Sequence, residues 1–119
     1  MAPDPPLPDT VPVLIAGGGP VGLTAAALLA RHGVLQWAVS FEALSGPLTA
    51  AHIHGPAGPG QNAAVLVPLD VPLGAATLTG QARITPEQMT QLGSGQWYVN
   101  LHTQRHPGGE IRGQLRPRR

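Results

Sequence analysis

From Val34 to Glu42 the chain alternates strictly: Leu35, Trp37, Val39 and Phe41 share one face, and Gln36, Ala38, Ser40 and Glu42 share the other. Successive side chains of an extended strand point to opposite sides, so a period of two suits a half-buried antiparallel strand and does not suit a helix. The theme recurs over Leu48–His54, Ala64–Leu69, Ala76–Ile84, Trp97–Thr103 and Glu110–Leu115, separated by the turn-forming pieces SGP, GPAGPG, PLG, GSG and HPGG. With 119 residues, 16 of them Gly and 14 Pro, the chain holds one modest core and many tight turns. The expected fold is mainly β, an antiparallel Greek-key-like sandwich or barrel. One short helix, about 86–92, interrupts it: Thr85 is placed to cap TPEQMTQL, with Pro86 first, Gln88 third and Gly93 closing. GPAGPG has collagen spacing for two triplets only, so it reads as a loop.

The N-terminal third reads differently. Val11–Ala16 has the character of a buried strand, Gly17, Gly19 and Gly22 match G-x-G-x-x-G, and the Ala/Leu-rich stretch Leu23–Arg31 reads as a helix stopped by Gly33. His32 would then sit against the helix C-terminal dipole. This strand-turn-helix, about 11–32, resembles the N-terminal segment of FAD-dependent aromatic hydroxylases. The resemblance implies a flavin held by Gly17, Gly19 and Gly22, with Glu42 at the distance of the ribose-binding acid. It covers about 24 residues, and no second β-α-β half follows to enclose FAD, so a segment that packs without a cofactor is the plainer reading. The organisation expected is a disordered Pro-rich leader over 1–10, this segment over 11–33, and a β domain over 34–119 packed with it as one unit.

Several function classes are disfavoured. The net charge is +1 and all seven basic residues are Arg, so no broad positive field points to specific nucleic-acid binding. The chain has no cysteine, which removes disulfides and thiolate metal sites. Val11–Ala30 is uncharged, yet glycines interrupt it and no basic residue precedes it, so it reads as neither membrane span nor signal core. Ser40, Ser45 and Ser94 lie in no nucleophile elbow, and the six acids show no paired spacing, so nothing suggests a hydrolase.

The histidines carry more information. His52 and His54, two apart on a strand, project from one face while Ala51 and Ile53 take the other. His102 shares a face with Tyr98 and Asn100, opposite Trp97, Val99 and Leu101. If the two strands pair, three imidazoles can meet one ion at about 2.0–2.1 Å each with a position left open. His106, in the following turn, is a candidate fourth donor. An all-nitrogen set favours copper by the usual affinity order. The same placement also suits plain hydrogen bonding to neighbours or water. Glu110 and Arg112 are read on the polar face of the last strand, with Arg112 either guiding an anion or pairing with Glu110.

Three blocks in order, LSGPLTAAHIHGPAGPG, LTGQARITPEQMTQLGSGQWYVNLHT and PGGEIRGQL, resemble a CHRD (chordin-type) domain over about residues 33–115. The resemblance implies a β-sandwich binding module, extracytoplasmic in setting, whose partner is a protein or small ligand. That family usually has one or two strands before the position of Val34. Here the glycine-rich segment stands there, so the chain reads as a fusion or chimera joined near Gly33, with Val11–Ala16 either replacing an edge strand or leaving an open edge that invites a homodimer. A weaker pattern is similar to Cu,Zn superoxide dismutase: His52 and His54 fall on its H-x-H pair and His102 on its later copper ligand. That similarity implies a copper-dependent redox enzyme, and it lacks the disulfide, bridging histidine and zinc loop.

Overall fold

The computed structural model describes residues 11–15, 22–42 and 44–117. Its elements in chain order are β1 (Val11–Ile15), β2 (Gly22–Arg31), β3 (Val34–Glu42), β4 (Leu48–His54), β5 (Val65–Leu69), β6 (Thr77–Arg83), α1 (Pro86–Gly93), β7 (Trp97–Thr103) and β8 (Ile111–Pro117). The strands form one ladder in the order β5-β4-β7-β8-β1-β2-β3-β6. Every pairing in it is antiparallel.

Two halves, β5-β4-β7-β8 and β1-β2-β3-β6, are joined by the short β1–β8 ladder, Val13↔Pro117 to Ile15↔Leu115. They fold onto a single core. Leu28, Leu35, Trp37, Val39 and Leu78 come from one half, and Ile53, Val67, Trp97, Val99, Leu101 and Leu115 from the other. Each such apolar side chain removed from water stabilises the fold by roughly 1.5–3 kcal/mol. The edge strands β5 and β6 come alongside one another. Among the described residues no ladder joins them, so the architecture is a β-sandwich and not a closed barrel. The connections β3–β4, β5–β6 and β6–β7 each pass between the halves, which gives the Greek-key-like crossing expected from the sequence.

The helix α1 forms as the sequence predicts. Thr85 Oγ1 accepts the Gln88 N–H at 3.1 Å while Gln88 Oε1 accepts the Thr85 N–H at 2.8 Å, a reciprocal capping box. Met89 and Leu92 are buried, and the helix packs toward β8.

The expected N-terminal helix is a strand. Residues Gly22–Arg31 pair with β1 on one side and with β3 on the other, Arg31↔Val34 through Gly22↔Glu42. His32 and Gly33, with φ of 53° and 75°, make the two-residue turn between β2 and β3. Two consecutive positive φ values are the mark of a type I′ hairpin, whose twist matches that of its strands. Ala and Leu favour a helix by a few tenths of a kcal/mol each, and strand pairing on both sides outweighs that. Gly33 is therefore a hairpin glycine and not a helix stop, and His32 is a turn residue and not a dipole partner. Gly17 and Gly19 lie outside the described residues. Gly22 opens a strand, so it heads no helix whose N-terminus would hold a pyrophosphate, and Glu42 is its cross-strand partner. The flavin-binding expectation loses its physical basis there. Of the two alternatives for the N-terminal segment, the open edge does not arise, because β1 and β2 lie inside the ladder between β8 and β3. Among the described residues, no helix is long and apolar enough to cross a membrane.

Candidate metal centre

The outer face of the β5-β4-β7-β8 half carries the histidines. Strand alternation sends Ala51 and Ile53 into the core and leaves His52 and His54 outside. The same alternation on β7 buries Leu101 and Thr103 and turns His102 out. Register decides which rings meet. Ala50 pairs with His102, His52 with Asn100 and His54 with Tyr98, so His52 and His102 are diagonal neighbours. Ala50 has no bulk to hold the His102 ring upright, and a register shift between Leu48 and Ala50 adds local twist. His102 Nε2 comes to 3.1 Å from His52 Nδ1.

His52, His54 and His102 are all half-buried, and each offers one nitrogen within 4.8 Å of the others. The His52 and His102 rings stand 4.9 Å apart at 65°, and the His52 and His54 rings 5.6 Å apart at 82°. Two donors each about 2.0–2.1 Å from one ion, at angles between a right angle and the tetrahedral angle, are roughly 2.9–3.4 Å apart. The His52–His102 separation lies in that range. Burial, and then the neighbouring His102 and His54, hold the His52 imidazole below its ordinary pKa, which favours the neutral, lone-pair-bearing form.

The rings are oriented from behind. His102 Nδ1 is 2.9 Å from the Pro107 carbonyl, and His54 Nδ1 is 2.9 Å from the Ala63 carbonyl. A carbonyl only accepts, so both Nδ1 atoms carry hydrogen and both Nε2 atoms keep their lone pairs when the rings are neutral. His54 Nε2 is buried and has no hydrogen-bond partner. A buried polar atom without a partner is uncommon and calls for an explanation, such as an ion.

His106 stands apart from this group. Its side chain is 51% exposed, and its Nε2 lies 4.0 Å from Glu110 Oε1. Glu110 does not pair with Arg112, one of the two alternatives for that arginine. It stands just before β8 and accepts from the Ser45 N–H at 2.9 Å, from the Ser45 hydroxyl and from the buried Thr103 hydroxyl at 2.8 Å. Arg112 donates instead to Gly58 O at 3.0 Å, to Asn62 Oδ1 at 3.2 Å and to Gln114 Oε1 at 3.3 Å. Its guanidinium covers the Tyr98 ring. Sequence reasoning did not reach Ala63, Asn62, Pro107 or Gln114. Ala63, Asn62 and Pro107 lie in loops, and Gln114, on β8, acts by reaching loop carbonyls distant in sequence; only the outward position of Tyr98 beside His102 was readable.

A family model described as CHRD domain matches residues 9–115. The match includes β1 and β2, so the fusion near Gly33 has no support. No curated protein and no solved structure matches the chain.

Proposed function

The chain belongs to the CHRD domain family, and from that premise we propose that it is a β-sandwich binding module that holds a copper ion between His52, His54 and His102. The observation that carries the reading is the buried, unpartnered Nε2 of His54 beside the close His52–His102 pair. Three neutral imidazoles suit late first-row metals, and Cu(II) leads the affinity order for nitrogen donors. An ion held there would replace the His52–His102 hydrogen bond, with the His52 proton moved from Nδ1 to Nε2. The family resemblance favours an extracytoplasmic setting with a protein or small-ligand partner.

Elemental analysis of the purified protein, followed by Cu(II) titration read by EPR, tests this. The expected result is one copper with nitrogen hyperfine structure, lost in His52→Ala and kept in His106→Ala. Unchanged copper affinity in His52→Ala overturns it. Three protein donors leave a coordination position open, which favours a second reading as a copper redox enzyme. Copper that cannot be reduced and reoxidised in the loaded protein removes that reading.

A further inference from the structure

Tyr98 lies between two partners. The His54 ring is parallel to it within 5° at a centroid distance of 4.9 Å, and Arg112 Cζ stands 3.6 Å from its centroid. The phenol is 2% exposed, and its oxygen is tied to one loop residue twice, accepting the Ala63 N–H at 3.0 Å and donating to the Ala63 carbonyl at 3.3 Å. That same carbonyl receives the His54 Nδ1–H. Arg112 anchors the loop just ahead of this joint, at Gly58 and Asn62, and Gln114 anchors it again through Ala57 O at 2.9 Å. Ring, guanidinium and loop form one closed arrangement around His54.

The geometry points to Arg112 and Tyr98 as the positioning residues of the three-imidazole site. The stack fixes the plane of the His54 ring, and the loop it carries fixes the Nδ1–H tautomer, so Nε2 is presented as a donor before any ion arrives. The planar fork of Arg112 is needed because it covers an aromatic face and reaches separated acceptors together, which a lysine ammonium does not do. Three of its five N–H donors are committed to the protein, so Arg112 acts here as a clamp. The consequence for affinity rests on the copper reading above, whereas the control of the His54 tautomer does not.

The test is long-range proton–nitrogen NMR of His54 in the metal-free protein, paired with Cu(II) titration by EPR, on wild type, Arg112→Lys and Tyr98→Phe. Wild type is expected to show a single Nδ1–H tautomer. Arg112→Lys is expected to show averaged tautomers and a copper affinity lower by about 10–100-fold, with three coupled nitrogens reduced to two and an unchanged far-ultraviolet dichroism spectrum. Tyr98→Phe keeps the ring but cuts both bonds to Ala63, so it reports on the clamp even if Arg112→Lys fails to fold, and its tautomer is expected to loosen. A wild type that takes no copper defeats the metal reading, and the tautomer result still decides the clamp. A wild-type His54 tautomer in a folded Arg112→Lys, or in Tyr98→Phe, overturns the clamp.

Discussion

Two single residues hold the neighbourhood of the histidines in ways their identities did not advertise. Gly55 follows His54, and a Cβ there would lie 2.5 Å from Trp97 Cδ1 and 2.9 Å from the Gln96 carbonyl. Trp97 is fully buried and cannot swing away. Gly55→Ala is therefore expected to cost about 1–3 kcal/mol, as overpacking does, and to lower the urea midpoint; an unchanged midpoint would show that β4 and β7 have slack at this point. Glu110 is the second. Its carboxyl is held below its ordinary pKa, chiefly by the Ser45 hydroxyl and then by the Ser45 N–H, with Thr103 and His106 assisting. A carboxylate with a depressed folded pKa binds protons more readily when unfolded. Its contribution is complete above the unfolded value, about 4.3, and is lost as pH falls through the folded one. Thermal melts across the acid range are expected to show a decline below about pH 4 that is shallower in Glu110→Gln. Parallel acid limbs in the two proteins would remove Glu110 as the cause.

At the scale of elements, legibility followed chemistry that is local. The boundaries of β4 and β7 and the capping box at Thr85 were all readable, because alternation and capping depend on neighbours a few residues away. β2 was not. A glycine ending an Ala/Leu run satisfies a helix stop and a hairpin turn equally well, since both need a positive φ, and His32–Gly33 resolves to the hairpin only when β3 pairs back onto β2. The turn itself supplies a test. A Cβ on Gly33 would meet only the Ile84 carbonyl, at 3.7 Å, so the cost of Gly33→Ala is one of backbone conformation, roughly 1–2 kcal/mol. Gly33→Asn should recover much of it, because asparagine visits the left-handed region routinely. Equal stability of the Ala and Asn variants in urea would contradict a type I′ turn.

The whole molecule depends on the segment that looks least like the rest. The three histidines were legible as a set because strand alternation fixes faces, but their meeting depends on the β4–β7 register, and a slip of one residue would turn His102 inward. His106 was less legible for a related reason: a turn obeys no alternation, and its path carries the ring to 4.0 Å from Glu110. Register in turn rests on a complete ladder. β1 and β2 fill the space between β8 and β3, and β2 contributes Leu28 and Ala30 to the core. Deleting residues 1–33 would leave two long unpaired edges and uncover that core, a combination that promotes edge-to-edge association. The fragment 34–119 is thus expected to be aggregated or non-cooperative in thermal unfolding, and to lose whatever copper the full chain binds. A monomeric fragment that melts cooperatively and takes up copper as the full chain does would show that the histidine face needs only its own half of the sandwich, and that the N-terminal strands are an addition to a unit already complete.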